Sequence, residues 1–366
     1  MTMEDRRAPR IGSARRLLSS KRRLLLGLGV ATLGAVAWLV AVWLMIPAAP
    51  TMPTLPVPNG YDDVLRAGRE AHDAGDRLAR LDVTKAGEAT LRPLVEASRE
   101  ALATARLGLD RPFQVPVVYD INDMVGRQMG EWGEIKLMAR ILFAEGRLAE
   151  LQGRIDDATR AYVDIMRLGD AMGRRVPMMT HLLSLAIEGM GLRGLRDLRT
   201  GLDAGRCRRL IGALQDLDRD CEPVAEVIRR EHQFMDANTR NSGLAIALQY
   251  RLGGLLRREK ARVSASLTQG ERKEDVRRRL LLADLALRLY RLEHGQAPSS
   301  LDALVPMILR SVPIDPYSGK PLIYRDQVGG EALYSVGPDG DDDHLSPVLG
   351  GQYLDTSDGD VTLNSF

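Results

Sequence analysis

Between Leu24 and Ile46 the chain runs for 23 residues without a charged side chain. At about 1.5 Å of rise per residue, a helix of that length crosses a hydrocarbon layer of about 30 Å. Helix is required there, because lipid offers no partner to a free backbone N–H or C=O. Trp38 and Trp43 fall in its C-terminal half, where indole rings settle at a membrane–water interface. Arg6, Arg7, Arg10, Arg15, Arg16, Lys21, Arg22 and Arg23 precede the run, and the next basic residue after it is Arg66. This asymmetry predicts a single-pass anchor in the cytoplasmic (inner) membrane, with residues 1–23 as a basic cytoplasmic tail and everything beyond residue 46 periplasmic. A cleaved signal peptide shares this order of features, but its apolar core spans only about 7–15 residues. The exit Ile46-Pro47-Ala48-Ala49-Pro50 also lacks an A-x-A step.

Pro47, Pro50, Pro53, Pro56 and Pro58 follow. Proline at every second or third position fixes φ and removes donors, so residues 47–60 read as an extended stalk holding the next domain off the bilayer. From Tyr61 onward apolar residues recur at spacings of three and four. This pattern predicts a helical extracytoplasmic domain over 61–270, with helices at 62–80, 86–107, 122–151, 155–172, 178–200, 204–219, 222–262 (broken near Asn241) and 272–293. Only 114–119 reads as extended, since Arg111-Pro112 and Val115-Pro116 discourage helix. The fold class is therefore mainly α: one membrane helix, a helical-bundle body and a small α+β module at 271–366.

Within 142–168, Leu142, Gly146, Gly153, Ile155, Ala158 and Tyr162 stand where a tetratricopeptide unit places its packing residues. The segment resembles one such hairpin. Thirty-four residues on, Thr180, Ile187 and Leu192 break the pattern, so no array is expected. The resemblance implies a peptide-binding groove, and an ordinary well-packed helix pair accounts for the same residues.

Composition removes several classes of function. With 51 Lys+Arg against 49 Asp+Glu, the charge of +2 is too small for general nucleic-acid binding. Two cysteines make neither a disulfide framework nor a four-cysteine zinc site. Cys207 and Cys221 lie about 21 Å apart on a straight helix, so two free thiols are expected. His72, His181, His232, His294 and His344 form no ligand-pair spacing, and no nucleophile elbow, P-loop or dinucleotide fingerprint occurs. Glu231, His232, Asp236 and Arg240 could share a helix face, most simply as a solvated one. No catalytic residue and no organic cofactor is assigned.

The C-terminal quarter carries more information. Leu281, Ala283, Leu285, Ala286, Leu289 and Tyr290 end at His294-Gly295, a C-cap signature, and Pro298 stops the helix. Ser299 with Asp302 suggests a capped short helix from Ser300. A Pro313-to-Gly319 turn precedes strands at 322–325 and 332–336, joined through Gly329-Gly330.

Tyr290, Gly295, Pro298, Leu304, Pro313, Asp315, Pro316, Tyr317, Gly319, Pro321, Tyr324, Tyr334, Ser335, Gly337, Asp339 and Gly340 follow one another as in the globular domain of the type II secretion major pseudopilin, which the segment of about 280–345 resembles. No acid lies between Leu24 and Ile46, so the prepilin-peptidase site of that family is missing. The resemblance thus implies a borrowed module, not a processed pilin subunit. It further implies calcium in the closing loop, with Asp339, Asp341, Asp343, Asp358 and Asp360 as ligands and Asp342 and Asp355 nearby. A calcium ion takes six to eight oxygens, which two such clusters could supply together. A solvated acidic loop is the alternative. It is no EF-hand, since the twelfth position from Asp339 is Gly350.

Three functions fit these features. They are a membrane-anchored extracytoplasmic interaction or scaffold protein, an accessory component of a type II secretion or type IV pilus-like machine, and an extracytoplasmic hydrolase whose site leaves no spacing signature. The expected partners are the lipid bilayer, through residues 24–46, and unidentified proteins, secretion-machinery components among them.

Overall fold

The computed structural model describes residues 11–46, 50, 54–219, 222–243, 254–327, 330–345 and 359–365. The chain is mainly α-helical. Helix α1 (Ile11–Leu44) contains the apolar stretch Leu26–Leu44, long and apolar enough to cross a membrane and unburied by the rest of the chain. Helices α2 (Gly60–Glu70), α3 (His72–Ala79), α4 (Glu88–Ala97) and α5 (Arg99–Leu109) follow. Two expected helices are therefore each divided. The chain turns at Ala71, and at Ser98, whose buried hydroxyl donates to the Leu94 carbonyl at 2.9 Å and loosens the helix there.

A one-turn α6 (Ile121–Asp123), capped by the Asp120 carboxylate, leads through a π-turn at Met124–Gln128 into α7 (Met129–Leu151). Helix α7 pairs with α8 (Ile155–Gly173) across small residues: a methyl at Gly146 would lie 2.5 Å from the Tyr162 ring. Tyr162 meets Gly194 of α9 (Met178–Leu198) equally closely, so α8 is clamped on both sides. Helices α10 (Ala204–Arg219) and α11 (Val224–Asn241) complete this layer.

Helix α12 (Leu255–His294) joins the end of the expected 222–262 helix to the one expected at 272–293 and passes unbroken through residues 270 and 271, so the body and the C-terminal module share one spine. It ends as the sequence predicts, at Gly295 in the left-handed conformation, with the Gly295 N–H donating to Arg291 O at 2.8 Å. The next element is a 3-10 turn at Leu301–Leu304, preceded by Ser300; no side-chain cap forms, in place of the expected Ser299 box. Strands β1 (Ile323–Gln327) and β2 (Gly330–Tyr334) pair antiparallel with Ile323 opposite Tyr334, shifted by one to two residues from expectation. One buried core joins these parts, from Tyr61 through Ile135, Ile165 and Leu285 to Leu363.

The stretch read as a stalk, 47–60, lies only partly within the described residues, and the body meets α1 just before it. Arg240, at the end of α11, donates to the Ile46 carbonyl at 2.8 Å. Its guanidinium lies 4.9 Å from the centre of the Trp43 ring, and Trp43 Nε1 donates back to the Arg240 carbonyl at 3.4 Å. Ile46 is fully buried. The body thus seats directly on the end of the apolar helix. Residues 47–49 and 51–53, including Pro47 and Pro53, lie outside the described residues.

Candidate functional site

The C-terminal module is assembled around Asp315. Its carboxylate is fully buried and accepts from Tyr317 N (2.9 Å), Ser335 Oγ (2.8 Å) and Val336 N (3.0 Å). Three donors satisfy the charge and pin the turn after α12 to the end of β2. Sequence inspection reads Asp315 only as a turn residue; its burial depends on a partner twenty positions later.

Ser335 also exchanges both backbone hydrogen bonds with Val361, at 2.9 and 2.8 Å, so the chain end returns beside β2. Gly337 and Gly359 make this approach feasible: a Cβ at Gly337, itself at φ +75°, would sit 2.5 Å from the Gly359 carbonyl oxygen. The return brings Asp360 beneath the loop 337–345. Gly359 N donates to Asp339 Oδ2 at 2.8 Å, and Leu345 N to Asp360 Oδ2 at 2.7 Å.

In that loop Asp339, Asp341 and Asp343 each offer an oxygen within 4.8 Å of the others. Two ligands about 2.4 Å from one ion are at most about 4.8 Å apart, so these three oxygens are close enough to share one calcium ion. Asp360 is 1% exposed, and among the described residues its Oδ1 has no hydrogen-bond partner. Burial raises its pKa above the usual carboxylate value; the Leu345 and Asp343 N–H groups oppose the rise, and the Asp342 and Asp343 charges reinforce it. Three converging carboxylates fit a hard cation, which Asp339, Asp341 and Asp343 would hold, with buried Asp360 adding negative charge nearby. Asp355 and Asp358 lie outside the described residues.

Asp342 faces elsewhere. It pairs with Arg325, accepts from the Tyr334 hydroxyl at 2.9 Å and from His344 N at 3.1 Å. Burial alone would raise its pKa, yet these partners hold it below the ordinary value.

A second concentration of buried charge lies between α9, α10 and α12. His181 Nε2 meets Glu271 Oε2 at 2.7 Å, and Arg278, 4% exposed, reaches Glu188, Asp218 and Asp275 at 3.3–3.5 Å. Burial pushes the Glu188 carboxyl up to about 7, against the pull of Arg278. Burial would lower the His181 pKa, but the hydrogen-bonded Glu271 raises it on balance. This network escapes sequence inspection because its members come from positions about ninety residues apart.

The face formed by Glu231, His232, Asp236 and Arg240 does not converge on itself. Glu231 accepts from Met178 N, His232 meets Ser264, Asp236 pairs with Lys260, and Arg240 reaches Ile46. Cys207 is a buried free thiol with its pKa raised by burial, while Cys221 lies outside the described residues. No protein-family model, no curated protein and no solved structure matches the chain.

Proposed function

We propose that this protein is a membrane-anchored scaffold whose extracytoplasmic body presents a calcium-closed C-terminal module to protein partners. The observation that carries the reading is the shared spine. Helix α12 packs against the body through α9, α10 and α11, and it also carries the module's turn, with Arg279 donating to Ile314 O at 2.5 Å. A module mounted this way is held rigidly relative to the body, and the Arg240–Ile46 contact holds the body to the anchor. The cations before residue 24 and their absence from the exit up to Arg66 support an outward orientation.

A reporter pair fused at the C-terminus tests the orientation. Alkaline phosphatase should be active there and a cytoplasm-dependent fluorescent protein dark; the reverse pattern refutes it. In-cell cross-linking from the module should yield discrete partner bands, and a chain that cross-links only to itself or to lipid contradicts the scaffold role.

A narrower reading rests on the order of elements after α12: the Gly295 cap, the Asp315 turn, the hairpin and the acidic loop. That order supports a pseudopilin-like module in an accessory component of a type II secretion or type IV pilus-like machine. Recovery of secretion components in the cross-linked material supports it, and partners drawn only from outside such machines count against it.

A further inference from the structure

The end of the body nearest the anchor leaves apolar side chains in the open. Ile121, Val125 and Met129 are 43%, 55% and 51% exposed and succeed one another at intervals of four through α6, the π-turn and the start of α7. Residues four apart share a helix face, so the three make one stripe. Gly126 and Gly133 lie among them with nothing packed against them, which keeps the surface low.

The fold fixes where this stripe sits. Asn238 of α11 accepts from Ile121 N at 2.9 Å and donates to Tyr119 O at 3.1 Å. Two residues further along the same helix, Arg240 holds the Ile46 carbonyl and covers Trp43. Ile121 and Ile46, at the end of the apolar span, are therefore held by side chains two residues apart on α11. Helix α12 starts at the same end: Lys260 pairs with Asp236 at 2.7 Å, and His232 meets Ser264 at 3.1 Å, so the two helices run antiparallel and Leu255 lies beside the end of α11. Leu255 is 38% exposed, and Arg257 and Arg258 follow it on the surface.

We infer that this end of the body is a second membrane contact, with the stripe resting in the interfacial layer of the bilayer that α1 crosses and Arg257 and Arg258 meeting lipid phosphates. The inference rests on the reading of α1 as a membrane anchor. Its occupant follows from continuity: the exposed stripe adjoins the Trp43–Arg240–Ile46 contact, at the level where an indole and a guanidinium sit among headgroups. Apolar side chains bordered by cations suit an anionic phospholipid surface. The contact would fix the body's tilt, which a single flexible tether leaves free.

The test uses the full chain, one copy per lipid nanodisc, with an environment-sensitive fluorescent amino acid placed at one position at a time and acyl chains brominated to quench it. Positions 125 and 129 should be quenched at least about twofold more than positions 292 and 307, exposed sites on the end of α12 and in the loop after the 3-10 turn. Position 33, inside the apolar stretch, is the reference. Quenching at 33 with 125 and 129 no different from 292 and 307 overturns the inference and leaves the anchor standing. Loss of quenching at 33 as well overturns both. Arg257→Glu with Arg258→Glu should reduce quenching at 125 in anionic discs; an unchanged value removes the phosphate contacts from the proposal.

Discussion

In the helical body two deeply buried acids have a cation against them: Glu188 faces Arg278 at 3.3 Å and Glu271 faces His181 at 2.7 Å, while Glu231 is met by the Met178 N–H. In the C-terminal module, by contrast, Asp339, Asp341 and Asp343 face one another above a buried Asp360, while Arg325 pairs with Asp342. The body closes its electrostatics internally. The module's like charges gain from an outside cation, so its order becomes a property that its surroundings can set. The difference also follows how each part is built. Helices supply Arg and His from several directions, whereas a loop of alternating aspartates brings only its own sign.

The largest effect should come from breaking the body's compensation. Arg278→Met removes the cation from three carboxylates and should cost about 3–5 kcal/mol in thermal or denaturant melts. Arg325→Met, at a half-exposed pair in the module, should cost about 1 kcal/mol or less. Equal costs would erase the contrast.

Glu188 gives the body a pH signature. Its folded carboxyl titrates near 7 against an ordinary 4.5, so the folded chain binds that proton more tightly than the unfolded chain does. The associated stability is complete below about pH 4.5 and is lost as pH rises through 7, on the order of 3 kcal/mol in all. Glu188→Gln should flatten this fall. A variant whose stability declines as steeply as the parent's would remove Glu188 from the account.

Calcium at a hundred times its Kd should stabilise the protein by about 2.7 kcal/mol, seen as a rise in melting temperature reversed by chelator. This effect runs opposite to the body's: ligand carboxylates must be ionised, so it should grow as pH rises. Asp360→Asn should raise calcium-free stability slightly, by relieving a buried charge, and shrink the calcium response. An Asn variant with an undiminished response would exclude Asp360 from the site.

How legible each part was follows from where its signal lies. The apolar run is a contiguous stretch of composition, and the Gly295 cap and the hairpin carry local chemistry, so these could be read directly. The continuity of α12 across 263–271 could not. Its residues Arg257 to Asp275 are dominated by charge, and the helix is held by Lys260–Asp236 and His181–Glu271, not by an apolar stripe. Ser98 divides a strongly periodic segment through a side-chain bond to its own backbone. The acidic residues were found by clustering, and the structure brings Asp339, Asp341 and Asp343 together. The burial of Asp360 depends on the Ser335–Val361 pairing, which no spacing reveals.

Amide exchange on the full-length protein, with calcium and with chelator, tests the contrast between body and module most directly. Exchange should slow at 335–345 and 359–363 when calcium is present and stay unchanged across 129–241. Identical exchange at those C-terminal amides in both conditions would contradict the account.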